Sequence, residues 1–233
     1  MSGVGADIDA ACNRLRNDGF CFVPSTAAAI LLDAPPADWN LFAASWNDMP
    51  LDTCMADGEC YPRRRHATLS MAASAVHATL EAHQPHYQSR DDNSLNGGTA
   101  RHYQPIAEAM VLGPAMCSLL ALCGKIFGRL SPGRRWHVEV HQFRIEANAA
   151  AGGQPTPEGV HRDGVDCVMV MMVKRRNIRE GTTTIHGAYR KPLASFTLIE
   201  PLDMTMDDDH RCLHGVTPVV PVEPSRPGAT CWW

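Results

Sequence analysis

From Trp136 onward, apolar and polar residues alternate with a period of two, after a first half in which apolar residues recur at helical spacing. Successive side chains of a strand point to opposite faces, whereas a helix brings residues three and four apart together, so the change of period marks a change of architecture. In Trp136–Ile145, the residues His137, Glu139, His141, Phe143 and Ile145 fall on one face, and Val138, Val140, Gln142 and Arg144 on the other. Further strand-like runs are Asp166–Val173, Thr182–His186, Phe196–Ile199, His214–Val222 and Thr230–Trp233. Turn chemistry separates them at Ala151-Gly152-Gly153, Arg179-Glu180-Gly181, Asp207-Asp208-Asp209 and Pro224 to Gly228. Many short strands with frequent turns favour a jelly roll over a parallel α/β sheet.

The earlier half reads differently. Ile8, Ala11, Cys12 and Leu15 lie at helical spacing in Asp7–Asp18, and Gly19 is a good stop. Phe20–Val23 is a strand closed by Pro24. Helices are expected at Ala37–Trp46, Ala67–His83 and Pro105–Phe127, the last with a break at Gly113-Pro114, because proline disfavours a helical residue before it. At 233 residues the expectation is one domain, 1–233: a mainly helical part, 1–130, packs on one side of a β core, 134–233.

One motif points to chemistry. His161-Arg162-Asp163 precedes the strand-like run at Asp166, and His214, 51 residues beyond Asp163, opens another. Residues i and i+2 of an extended segment share a side, so His161 and Asp163 can grip one metal ion together. His214 can close a three-point face and leave the opposite positions open. Two histidines and one carboxylate with open positions is the ligand set of non-haem Fe(II) oxygenases. His210 is the rival to His214, but it follows three aspartates in what reads as a solvated turn. Arg226 lies 12 residues beyond His214, near the last strand. Its guanidinium fork matches a carboxylate in bidentate fashion, which suggests a dicarboxylate cosubstrate such as 2-oxoglutarate. Thr230, four residues on, could add a hydroxyl.

The segments YPRRRHATL, HYQS, GGTARHYQPI, PEGVHRDGVDCVMVMMVKRRN and HRCLHGVTPV together resemble the bacterial 2-oxoglutarate/Fe(II) dioxygenase family that contains isoleucine 4-hydroxylase. The resemblance spans about residues 19–233 and is densest at Pro157–Asn177. It implies a mainly β fold with flanking helices, built on a double-stranded β-helix (a cupin-like jelly roll). It also implies oxidative decarboxylation of 2-oxoglutarate to succinate, with O2 consumed and a free amino acid or similar small molecule hydroxylated. His161, Asp163 and His214 match the family's metal ligands, and Arg226 its basic residue before the last strand. The sequence departs after Asn177: a glycine pair and a serine are expected there, and it reads REGTTTIHG, with Glu180 before Gly181. That departure bears most on substrate identity. A carboxylate at Asp163 fills a position that an alanine would open to halide, so hydroxylation is favoured over halogenation. Desaturation and ring closure stay open. The same metal face would also serve a non-oxidative cupin enzyme, or a metal or small-molecule binding protein.

Substrate contacts are less specific. Tyr61, Arg63, Arg64, Arg65 and His66 form a basic cluster that reads as a solvated face; in the family context one arginine, Arg64 or Arg65 among them, could bind a substrate carboxylate. His137, Glu139 and His141 share a strand face, as pocket lining or as a satisfied polar network. Met169, Met171 and Met172 read as core filling. Cys54, Cys60 and His66 have loose spacing for zinc, and Asp207–Asp209 lacks the alternating ligand spacing of a calcium loop.

Net charge is −4 and charged residues are 20%, which argues against nucleic acid or an anionic membrane as the main partner. No apolar run approaches the roughly 20 residues of a membrane-spanning helix. The first residues are acidic and amphipathic, unlike a signal peptide. Nine scattered cysteines without a CxxC pair fit reduced thiols in a cytoplasm. A homodimer is compatible with the sequence.

Overall fold

The computed structural model describes residues 2–51, 62–73, 75, 77–93, 95, 97–148, 150, 152–223, 225 and 228–233, with side chains from residue 7 onward except that of Pro62. Helix α1 (Ser2–Asp18) stops at Gly19. Gly19 has φ 85°, in the left-handed region, and its N–H reaches back to the Leu15 carbonyl at 3.0 Å. A Cβ there would meet Cys212 Sγ at 2.8 Å. Strand β1 (Phe20–Val23) follows, and Pro24 both closes it and precedes α2 (Ser25–Leu31). Helix α3 (Pro36–Ala44) carries proline in its first turn, where no N–H partner is lost.

The helix expected at 67–83 is instead β2 (Pro62–Met71) and β3 (Thr79–Leu80). Alanine, leucine and methionine in HATLSM favour a helix locally, but the segment also alternates: Ala67, Leu69 and Met71 against His66, Thr68 and Ser70. Ten paired residues against the long strand β5 (Trp136–Ala147) decide the matter. Strand β4 (Gln104–Pro105) adds a short parallel pair to β2. The break at Gly113-Pro114 divides α4 (Glu108–Val111) from α5 (Pro114–Leu130).

After β5 the strands are β6 (Cys167–Met171), β7 (Lys174–Arg176), β8 (Ile178–Glu180), β9 (Thr183–His186), β10 (Pro192–Phe196), β11 (Met204–Asp208), β12 (Leu213–Val216), β13 (Val219–Pro221) and β14 (Ala229–Trp232). Three differ from expectation for identifiable reasons. The strand expected at 196–199 ends at Phe196, because the Ile199 and Glu200 N–H groups are taken by the Asp203 carboxylate at 2.9 Å each. The run at 214–222 splits at Pro218, which has no N–H to give. The acidic run expected as a turn instead supplies Asp207 and Asp208 to β11.

The strands form two antiparallel layers. One runs β3-β2-β5-β14-β7 and continues as β6-β11-β1. Strands β6 and β7 are joined by Met172 and Val173, whose N–H groups reach Asp203 O (2.8 Å) and Trp232 O (2.9 Å). The facing layer holds β10-β9-β12 and β13-β8, with His161 bridged to β12 and Gly153 to β13. This is a double-stranded β-helix. Ile145, Met172, Ile178, Leu198, Val219, Ala229 and Cys231 pack between the layers. The helices cover the outer face of the larger sheet, burying Leu15, Leu119 and Ile126 against Ala67, Leu69, Met171, Met204, Met206 and Trp232. Met172 thus lies between the layers and Met171 beneath the helices, both as core filling.

Candidate metal centre and adjoining polar face

His161 and His214 face each other across an antiparallel bridge, each N–H donating to the other's carbonyl at 2.9 Å. The pairing sets their imidazole centres 4.8 Å apart. Asp163 stands two residues on, its Oδ1 3.6 Å from His161 Nε2 and its Oδ2 3.5 Å from His214 Nε2. One donor atom from each lies within 4.8 Å of the others, so a single ion could touch all three.

The surroundings fix which nitrogens face that point. His161 Nδ1 donates to the Gly159 carbonyl at 2.9 Å, and His214 Nδ1 to Asp207 Oδ2 at 3.1 Å. Both rings therefore present Nε2 to the shared point, as a metal requires. Burial alone would lower the His214 imidazolium, but Asp207, Asp163 and Asp209 outweigh it and raise it to about 10. Burial would raise Asp163, yet the imidazoles of His161 and His214 beside it hold its carboxyl below the ordinary range. Such a site holds protons that a cation would displace.

The Asp163 loop is held by Asp209, whose carboxylate accepts the N–H groups of Asp163 (3.1 Å), Gly164 (2.7 Å) and Val165 (3.0 Å). Gly164 has φ 79°, and a Cβ there would meet the Asp92 carboxylate at 2.5 Å. Gln88 Nε2 donates to Asp163 Oδ1 at 3.1 Å, and Gln88 Oε1 accepts from Arg101 (2.6 Å) and Asn93 (3.2 Å). Asp207 and Asp209 are each only 1% exposed, so the acidic run reads as the support of the metal face and not as a solvated turn. His210, the rival ligand, is exposed and pairs with Asp166 at 3.0 Å.

A second cluster adjoins the first. Register pairs Arg64 with Phe143, His66 with His141 and Thr68 with Glu139. All six share one face, with His86 and Tyr103 packed over it. Arg64 donates to His141 Nδ1 (3.0 Å) and Tyr103 Oη (3.0 Å), with its guanidinium 4.3 Å from the Tyr103 and Phe143 ring centres. His86 Nδ1 is 2.6 Å from Glu139 Oε2, and His141 Nε2 is 3.6 Å from the same oxygen. Burial would raise Glu139, but the donors from His141 and His86 hold it well below the ordinary carboxylate range. His137 is largely exposed.

Other expected site residues lie elsewhere. Arg65 faces away from Arg64 and donates to the carbonyls of Ser45 (3.0 Å) and Asp48 (2.8 Å), and Arg63 pairs with Glu146 at 2.8 Å. Thr230 does not join the metal face: its neighbours Ala229 and Cys231 point between the layers, so Thr230 shares the outer face with Trp232. Arg226, Tyr61, Cys54 and Cys60 lie outside the described residues. Arg175 does turn inward beside Cys231, donating to the carbonyls of Glu180 (2.6 Å) and Leu198 (3.4 Å). Glu180, where the sequence departs from the family, is exposed at the end of β8. Gln88 carries no signal of its own in the sequence, and Asp207 and Asp209 read there as a turn and not as site residues. HYQS and GGTARHYQPI, however, contain His86, Gln88, Arg101 and Tyr103.

A jelly roll whose interior carries two histidines and a carboxylate around one point offers the ligand set of non-haem Fe(II) oxygenases. The chain belongs to the 2OG-Fe dioxygenase family, whose profile matches residues 43–230. Fe(II), 2-oxoglutarate and O2 are the cofactor set of that family, and the donors here suit it: two imidazoles with anchored Nδ1 and one carboxylate. Among solved structures, a bsmA homolog from Methylobium petroleophilum is 32% identical, with a TM-score of 0.88 over 97% of this chain and 90% of that one. IDO from Bacillus thuringiensis is 14% identical with a TM-score of 0.76, covering 97% and 91%. The Fe(II)/α-ketoglutarate-dependent dioxygenase TqaL is 16% identical with a TM-score of 0.74, covering 100% and 87%. At those identities the last two speak to fold alone. Among curated proteins, none matches the chain. No helix among the described residues is long and apolar enough to cross a membrane.

Proposed function

We propose that this protein hydroxylates a free L-amino acid or closely related small molecule, with His161, Asp163 and His214 holding Fe(II) and Arg226 binding the far carboxylate of 2-oxoglutarate. The observation that carries the reading is the convergence of the three donor atoms while Gly159 O and Asp207 pin the opposite nitrogens of both rings. Bound iron supplies the oxidation: 2-oxoglutarate, O2 and a substrate C–H give succinate, CO2 and a C–OH, one oxygen atom going to succinate and the other to product. The protein's own part is positional. Asp209 and Gln88 fix the Asp163 carboxylate, and Asp207 fixes the His214 tautomer. The apolar residues between the layers keep water from the reacting atoms. We place the reaction in one domain and in the cytoplasm, in keeping with the free thiols of every described cysteine.

The test is mass spectrometry on purified protein with Fe(II), 2-oxoglutarate, ascorbate and a pool of free L-amino acids. Succinate appearing together with one amino acid heavier by an oxygen is expected. Succinate with no oxidised amino acid would move the substrate to a derivative. A folded, iron-loaded sample that makes no succinate with any pool would overturn the reading in favour of a non-oxidative cupin.

A further inference from the structure

We propose that Glu139 and Arg64 form a two-pole receptor for the zwitterion of a free α-amino acid, the Glu139 carboxylate taking the ammonium and the Arg64 guanidinium the carboxylate. The proposal rests on the dioxygenase reading above and narrows its substrate to compounds with both groups unblocked. Three features of the face carry it.

The first is the order of protons along the face. Arginine has only donors, so the His141 nitrogen that receives Arg64 must be an acceptor. The neutral ring's proton then sits on Nε2, toward Glu139. His86 points its Nδ1 at the same carboxylate. The chain Arg64–His141–Glu139–His86 thus holds a fixed cation and a fixed anion one imidazole ring apart. That separation suits the two charged ends of an α-amino acid. It also argues against a metal ion in the His66, His86, Glu139 and His141 cluster, because His141 has no lone pair left to give.

The second is a set of buried polar atoms that the protein leaves without partners among the described residues. Both nitrogens of His66, which is fully buried and stacked on His141 at 4.6 Å, have none. Thr68 Oγ1, directly across from Glu139, and His86 Nε2 are in the same condition. Buried polar groups are otherwise almost always paired; these atoms lie enclosed behind the Arg64–Glu139 row and give that face a polar backing.

The third is the link to the metal face. His86 meets Glu139 and Gln88 meets Asp163, two residues apart in one segment whose intervening Tyr87 is exposed. Two residues of extended chain span about 7 Å. A substrate held by its α-amino and α-carboxylate groups at the first point would direct its side chain toward the second.

The experiment measures binding without turnover, by calorimetry and ligand-observed NMR on the full chain. The twenty free L-amino acids are screened, and the tightest is compared with its N-acetyl and carboxamide forms. In the wild type each block should weaken binding roughly 30-fold or more, the scale of an unpaired buried charge. Glu139→Gln should weaken the free amino acid and erase the N-acetyl penalty, leaving the carboxamide penalty intact; Arg64→Met should do the converse. Glu139→Asp, keeping the charge, should keep the N-acetyl penalty. Equal wild-type affinity for free and blocked forms overturns the proposal even if a variant fails to fold, and so does the absence of binding by every free amino acid. A second equivalent of metal in the wild type, lost in Glu139→Gln, would assign the cluster to an ion instead. Binding with these penalties but no succinate would spare the receptor and sink the dioxygenase reading.

Discussion

Asp207 Oδ2 lies 3.1 Å from His214 Nδ1, joining the end of β11 to the start of β12 and making a nearly inaccessible carboxylate the orienting partner of an expected iron ligand. A carboxylate behind a ligating imidazole fixes the tautomer and raises the basicity of the nitrogen that faces the metal. Asp207→Asn keeps the shape and an acceptor but removes the charge. Fe(II) affinity should fall about 10- to 100-fold, read by competition with a chelator. Undiminished affinity would reduce Asp207 to a structural role.

Gln88 performs the matching task for Asp163, and three groups depend on it, two of them (Arg101 and Asn93) buried. Gln88→Leu takes the donor from Asp163 and the acceptor from Arg101 and Asn93. A charged, buried Arg101 without its 2.6 Å partner should cost about 1–3 kcal/mol of stability, measured by urea unfolding of metal-free protein. Iron binding should weaken as well, whereas a stability loss with unchanged metal affinity would separate Gln88 from the site.

How much of this could be read beforehand depended on the range of the interaction. The period-two pattern of Trp136–Ile145 and the His161–Asp163 spacing are local, and both appear in the structure where the sequence put them. The strand nature of Ala67–Met71 depends on pairing with residues some 70 positions away, so local propensity misled. Asp207 and Asp209 looked solvated because three successive acids usually are. Their partners, His214 Nδ1 and the Asp163–Val165 amides, are brought to them only when β11 lies beside β6 and β12 folds back. Arg64 and Arg65 are indistinguishable as sequence neighbours. The pleat alone sends one to the polar face and the other to the carbonyls of Ser45 and Asp48.

His66 should make the fold acid-sensitive. Burial pushes its imidazole down to about 4, with His86 and Arg64 acting in the same direction and Glu139 against them. Its folded value lies below the unfolded one, so the unfolded chain binds the proton first. The His66 contribution to stability is complete above about pH 6.5 and declines as pH falls toward 4, by about 3 kcal/mol for a shift of this size. His141, lowered by burial and by Arg64, adds to the slope. Thermal melts across pH 4–7 should show the decline, and His66→Asn should flatten it. An equal slope in the variant would place the acid sensitivity elsewhere.

Arg226 and Arg175 offer two sources for the guanidinium that 2-oxoglutarate requires. By the sequence resemblance Arg226 would match the family's basic residue before the last strand; Arg175 enters from β7 beside Cys231, between the two layers. Arg226→Ala should raise the 2-oxoglutarate KM by roughly 30-fold or more, as expected when a buried charge loses its partner, with little change in the KM of the prime substrate. Arg175→Ala should leave the 2-oxoglutarate KM nearly unchanged and lower stability instead, because its bonds go to the Glu180 and Leu198 carbonyls. The opposite pattern, with Arg175→Ala alone raising the 2-oxoglutarate KM, would move the anchor to β7. It would also make the departure at Glu180-Gly181 a feature of the cosubstrate pocket, since a Cβ at Gly181 would stand 3.2 Å from the Arg175 guanidinium.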